Sequence, residues 1–227
     1  MWPYFIWKNE NSRDKYVMVN KLPEIERPEA NIEKVVVPGR DGFLTQDDGT
    51  YQSTVKACEC ELTRGGNIDE ISAWLVGTDE ITFSNEPDKK YKATIINKIP
   101  FSKIVTQVHS FIVIFDCQPR KYSIDNSIIT LNAPGMIYNP GSTNAKPILK
   151  LYGTGSIDLV VNSNIVHLTN VSSYVMIDSE LVDSYKDTVL KNNDMSGEFP
   201  ELIPGSNAIS WTGTVTKIEI TPNWMWI

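Results

Sequence analysis

Short runs of β-branched and aromatic residues, each closed off by Gly, Pro, Asn or Asp, recur along the whole of this 227-residue chain. Runs of that length are too brief for most helices and have the composition of strands. The spacing predicts strands over 16–19, 35–37, 55–62, 81–83, 91–96 and 112–115, and again over 148–151, 157–161, 165–168, 174–177, 208–211 and 215–220. Within 55–62, Cys58, Cys60 and Leu62 share one face and Glu59 and Glu61 the other, the alternation of a half-buried strand. Asp47-Asp48-Gly49 reads as the hairpin turn before it. One helix stands apart: Asn67 can cap it, Glu70 can answer, and Ile68, Ile71, Trp74 and Leu75 recur at helical spacing until Gly77. Its apolar face needs a sheet to cover it. The expected fold is therefore mainly β, with an N-terminal α+β domain carrying one packed helix and a C-terminal antiparallel β-sandwich.

Turn chemistry is densest over 132–145, so the boundary is placed near 131–134, giving domains of 1–132 and 133–227. Apolar residues make up 41% and charged residues 22%, and no apolar run approaches the roughly 20 residues of a membrane span, so no membrane insertion is expected. Met1-Trp2-Pro3-Tyr4-Phe5 lacks the basic start and long apolar stretch of a signal peptide. A formal charge of -7 argues against a surface that neutralises phosphates. Cys58, Cys60 and Cys117 lack the paired spacing of a zinc site and read as buried free thiols, in keeping with assembly in a reducing cytoplasm.

No catalytic, cofactor or metal site is expected. His109 and His167 each sit in a strand pattern with no Cys, Asp or second His at ligand or triad spacing along the chain. Among the carboxylate pairs, Asp47-Asp48 belongs to a turn, Asp69-Glu70 to a helix start, and Asp178 with Glu180 to a strand end. Gly39-Arg40-Asp41-Gly42 is either a solvated hairpin tip or a place of close backbone approach. Trp211, Trp224 and Trp226 could form a sugar platform, but core packing is the simpler use of such aromatics.

Residues 194–207, Asp-Met-Ser-Gly-Glu-Phe-Pro-Glu-Leu-Ile-Pro-Gly-Ser-Asn, fit neither period. Pro200 and Pro204 fix φ, Gly197 and Gly205 permit positive φ, and Asn207 can bond its own backbone. Phe199, Leu202 and Ile203 are expected to pin this loop to a core. The segment resembles the Gly-acidic-Phe-Pro-x-Leu-x-x-Gly-x-Asn loop of distal tail (Dit) proteins of long-tailed phages and prophages. Further landmarks follow the same order: the 37–42 segment, the Trp74-Leu75 helix, 115–119, Asn139-Pro140-Gly141, 145–147, 153–155 and 177–180. The ending departs in carrying Met225 where the family pattern has Arg.

That resemblance implies a structural virion protein of the tail tip, assembled in the bacterial host cytoplasm. Six subunits would form a ring, with the N-terminal domain as a belt around a channel and a galectin-like C-terminal sandwich outside. The ring would join the tail-tube protein to the tail-associated hub protein and carry receptor-binding or baseplate proteins. DNA would transit the channel without stable binding. On the same resemblance, Gly39, Arg40, Asp41 and Gly42 fall at or near the subunit contact, and Gly197, Phe199, Pro200, Leu202, Gly205 and Asn207 are the structural anchors of the loop. The alternative reading is a β-sandwich carbohydrate-binding module, which would retain on glycans as a monomer instead of forming rings.

Overall fold

The alternation read in the sequence becomes antiparallel pairing in each of two units, Met1–Lys121 with Ile227 and Tyr122–Trp226, in a computed structural model that describes residues 2–227. The first unit contains β1 (Phe5–Trp7), β2 (Glu10–Asn11), β3 (Val17–Lys21), β4 (Ala30–Val35), β5 (Leu44–Tyr51), β6 (Thr54–Leu62), α1 (Ile68–Trp74), β7 (Thr78–Phe83), β8 (Lys89–Ile95), β9 (Ser102–Val105) and β10 (Val108–Ser123). Its sheet runs β2-β1-β7-β8-β10-β6-β3, with β9 on β10, while β4 and β5 pair only with each other. Cys58, Cys60 and Leu62 face the core as the alternation requires.

Helix α1 is capped at its start and tied to this sheet at its end. Asn67 has extended backbone and its side chain accepts from Asp69 N, the cap expected from sequence. At the other end Trp7 Nε1 donates to Trp74 O at 3.1 Å and Trp74 Nε1 donates to Trp7 O at 3.3 Å. Each buried indole thus satisfies its one donor while its ring packs apolar surface. Phe5 stacks on Trp74 at 5.6 Å, and Phe115 meets Phe5, Trp7 and Phe83 edge-on or tilted.

The second unit contains β11 (Ile129–Leu131), β12 (Gly135–Asn139), β13 (Ile148–Val161), β14 (Asn164–Asp178), β15 (Asp183–Lys186), β16 (Val189–Leu190), β17 (Met195–Ser196) and β18 (Gly205–Thr221). The order is β11-β18-β13-β14-β15-β16, with β12 on β18 and β17 on β14. The six short strands expected here are three long ones. Each is bent by a bulge and not broken: the β13–β18 register shifts between Thr154 and Asp158, and the β13–β14 register between Gly155 and Ile157. Gly213 makes the bend possible, because its φ is +90° and a Cβ there would stand 2.5 Å from Ser156 O. The strands curl at these points, so Leu149 and Leu151 from one half of β13 share a core with Leu159 and Val161 from the other. That is a β-sandwich made from one curled sheet.

Two boundaries differ from the expectation. The units divide upstream of residue 132, because residues 129–131 form β11 and pair with 218–220 of β18. Asp47-Asp48-Gly49 is not a hairpin turn but part of a wide bulge in β5, where 48–50 stand opposite Asn31. The turn chemistry is real: Asp47 Oδ1 accepts from Gly49 N at 2.8 Å, and Asp48 Oδ1 accepts from Thr50 N and Oγ1. It is spent inside a strand: β5 runs on to Tyr51 and Gln52 N still donates to Glu29 O at 2.8 Å, so only Gln52 and Ser53 separate β5 from β6.

Candidate functional site

The β4–β5 ribbon is the feature of the first unit that least resembles a finished fold. A lone two-stranded hairpin is marginal in water. Here neither face is covered: Ile32, Val35, Val36, Phe43 and Leu44 are all exposed, Val36 at 73%. Gly39, Arg40, Asp41 and Gly42 form its tip, where Arg40 N donates to Val37 O at 3.2 Å. Gly39 and Gly42 have φ near +81° and +82°, and a Cβ at either would meet nothing within 4 Å. Their glycine character therefore serves turn geometry within the chain. Open space around them leaves room for another backbone. Lys34 Nζ lies 4.9 Å over the Phe43 ring, so the ribbon presents mixed apolar and charged surface.

The 194–207 loop is held chiefly by two residues. Leu202 is fully buried and its backbone exchanges two 2.9 Å bonds with Ala145, while Asn139 Nδ2 also donates to Leu202 O. Asn207, also fully buried, accepts from Ile203 N at 2.8 Å through Oδ1 and donates through Nδ2 to Ile203 O and Gly205 O. Pro200 is buried, and Phe199 is only half-buried against the core. Ile203, expected as a third anchor, is exposed, because its backbone is taken by Asn207 and its side chain turns outward. Gly197 at φ +105° lies so near β14 that a Cβ would stand 2.3 Å from Ile165 O, and Gly205 has φ +89°.

The histidines do not share one environment. His109 lies in β10 opposite Leu62. His167, read as having no partner, has one across the sheet: its Nδ1 is 2.7 Å from Asp158 Oδ1, with Thr212 Oγ1 3.4 Å from the other oxygen. The signal was countable, since a two-residue turn at Asn162-Ser163 sets Val161 against Asn164 and hence Asp158 against His167. Both side chains are about half exposed, so the pair lacks the dry environment that makes such a dyad reactive. Asp178 Oδ1 caps the turn after β14 by accepting from Glu180 N and Leu181 N.

Cys58, Cys60 and Cys117 are free and buried, and burial pushes the thiols of Cys60 and Cys117 up to about 12 and that of Cys58 upward as well. Such thiols are poor nucleophiles and ligands. Trp224 is buried in the second core, and Trp211 and Trp226 pack against it. Among the described residues no group of three His, Cys, Asp or Glu is placed to hold a metal ion.

No family model and no curated protein matches the sequence. Among solved structures, the crystal structure of the SPP1 Dit (gp 19.1) protein is similar at a TM-score of 0.75 and 14% identity, over 100% of this chain and 100% of that one. That protein is described as a paradigm of the hub adsorption apparatus in phages infecting Gram-positive bacteria. What the two chains share is the fold, from end to end, and the likeness supports the resemblance read in the sequence.

Proposed function

We propose that this chain is a distal tail protein, a structural component of the hub at a phage tail tip. The observation that carries the reading is the end-to-end likeness to SPP1 Dit, which covers both units and leaves no part of either chain over. In this reading six copies close head to tail into a ring that joins the tail-tube protein to the tail-associated hub protein and carries receptor-binding or baseplate proteins. A rotation that closes leaves no free interface, which suits a ring better than an open filament. DNA passes through the channel unbound, and the protein resides in the virion after assembly in the host cytoplasm.

The β4–β5 ribbon supports an inter-subunit role for Gly39, Arg40, Asp41 and Gly42. Its exposed apolar residues find no cover within their own unit, and such a surface on a protein that assembles is more economically explained by a neighbour than by solvent. Arg40→Glu tests this. Ring formation, read by light scattering with tail-tube and hub proteins present, should weaken at least about tenfold in concentration dependence. The melting temperature of the subunit should stay within the roughly 0.5 kcal/mol typical of a surface change. Rings that form as readily as in the unaltered chain would mean that the subunit contact lies elsewhere.

A further inference from the structure

A hollow of about 300 Å³ opens in the first unit beside the 3-10 turn Ser12–Lys15, lined by Trp2, Pro3, Arg13, Tyr16, Met18 and Thr63. Local bonds fix its walls. Asn11 caps the turn by accepting from Arg13 N at 3.0 Å, and Tyr16 closes it in the left-handed conformation at φ +60°. A ring-bearing residue seldom adopts that region. Three bonds hold it there: Tyr16 N donates to Arg13 O at 3.1 Å, and Tyr16 O accepts from Thr63 N at 2.9 Å and Thr63 Oγ1 at 3.0 Å. The ring lies over Gly65, where a Cβ would stand 3.0 Å from Tyr16 Cε1. Strain of this kind gathers at sites that bind.

Among the described residues Arg13 is the one charged side chain that lines the hollow, and its charge is unanswered. Its guanidinium carbon stands 4.5 Å from the centre of the Tyr4 ring, and Nε and Nη2 are buried with no hydrogen-bond partner among the described residues. Glu10, three residues earlier, is committed to Lys15 at 2.8 Å. A charge held out of water without a counter-charge costs stability, so nothing within the chain accounts for its placement. Around it the surface is apolar and open, with Trp2 71% and Tyr16 53% exposed. Arg set among Trp and Tyr is the composition of residues that carry binding energy at interfaces.

We infer that this hollow receives an Asp or Glu side chain of a different protein, presented with an apolar residue beside it. The guanidinium fork matches a carboxylate through two parallel N–H···O bonds, which a point charge such as an ammonium cannot give. In the free chain Nε and Nη2 are sealed from water, and a turn of the guanidinium about its last torsion brings them to the mouth without breaking a bond of their own. A bare anion would answer the charge and leave the rim of Trp2 and Tyr16 uncovered. A peptide segment covers both. A second copy of this chain is the poorer occupant, because the exposed Asp41 of its ribbon follows Arg40, which would bring one guanidinium against another. The inference rests on the pocket alone and not on the tail-tip reading.

Nitrogen-15 NMR titration of the full chain tests it, reading the Arg13 Nε–H and Trp2 indole signals. The probes are end-blocked Gly-Asp-Phe-Gly and Gly-Glu-Leu-Gly, their Asn and Gln counterparts, sodium acetate, and a peptide of residues 36–44. At least one acidic tetrapeptide should shift both signals and bind at least about tenfold more tightly than its amide counterpart and than acetate. Arg13→Met keeps the stem over Tyr4 and should abolish that preference, while the free chain melts no lower than the unaltered one because an unpaired buried charge is gone. A lower melting temperature for Arg13→Met would make the arginine a structural residue and overturn the inference. Acetate binding as tightly as the peptides would make the hollow a small-anion site, and tightest binding of the 36–44 peptide would make the occupant a second copy; either overturns it, as does the absence of a shift with every acidic probe.

Discussion

Asn207→Ala should be among the costliest single-atom-group deletions in the second unit, although it removes no apolar contact of any size. The side chain is fully buried and makes three bonds to the loop backbone, to Ile203 N, Ile203 O and Gly205 O, and accepts a fourth from Asn162 Nδ2 at 2.9 Å. Each lost bond is worth about 1 kcal/mol net, and a buried polar group left without a partner costs about 1–3 kcal/mol more. Ile203 is partly exposed, so water recovers some of the loss there. With the two Ile203 bonds recovered by water, about 2 kcal/mol for the other two bonds and about 1–2 kcal/mol for the partners left unpaired remain, about 3–4 kcal/mol in total. For a unit of this size that is a fall of about 12–20 °C in melting temperature. Differential scanning calorimetry reads the transition, and hydrogen exchange of peptides covering 198–206 locates it. Ser206→Ala, one residue away and exposed, serves as the control. If Asn207→Ala melts within about 3 °C of that control and the loop exchanges no faster, the loop is not organised by this side chain.

Alkaline pH should loosen the first unit selectively. Thiols held near 12 in the fold but near 9 when unfolded favour the folded state fully below pH 9, and that stability is lost as pH rises toward 12, because the unfolded chain then holds fewer protons. Urea melts between pH 8 and 11 should show the decline, and Cys60→Ala should flatten it; an unchanged slope would mean the thiols are not the titrating groups. Gly197→Ala should destabilise the second unit by about 2 kcal/mol or more, since a Cβ meets Ile165 O at 2.3 Å and φ is +105°, whereas Gly77→Ala meets only the φ penalty. Equal effects in thermal melts would show that the close approach relaxes freely. Trp74→Phe keeps the packing but removes the Trp74 Nε1 bond to Trp7 O, and should cost about 0.5–1.5 kcal/mol in denaturant midpoint analysis; no loss would mean the indole bond contributes nothing net.

Local chemistry was legible wherever the chain acts on itself over a few residues. The Asn67 cap, the Cys58-Cys60-Leu62 face and the backbone bonds of Asn207 all depend on neighbours within one turn or one strand. What failed to read was what depends on register. Asp47-Asp48-Gly49 carries turn residues, but a wide bulge uses the same positive φ and the same side-chain bonds, and only pairing with Asn31 tells them apart. Breaks at 152–156 and 212–214 looked like loops because Gly interrupts apolar alternation, whereas they are corners within continuous strands. The boundary near 132 followed turn density, yet β11 belongs with β18 because Ile129 and Leu131 need a core that lies nearly ninety residues later. The exposed ribbon of β4 and β5 was not foreseen, since strands with apolar residues are expected to bury a face. Its exposure is the structural fact that most favours assembly.

The central claim is a closed ring, and native mass measurement with negative-stain microscopy of the chain mixed with its tail-tube and hub proteins tests it most directly. The account predicts a species of six times the 25.6 kDa chain, seen end-on as a ring with an open centre. A chain that stays monomeric in every mixture, or that forms open filaments, would contradict it.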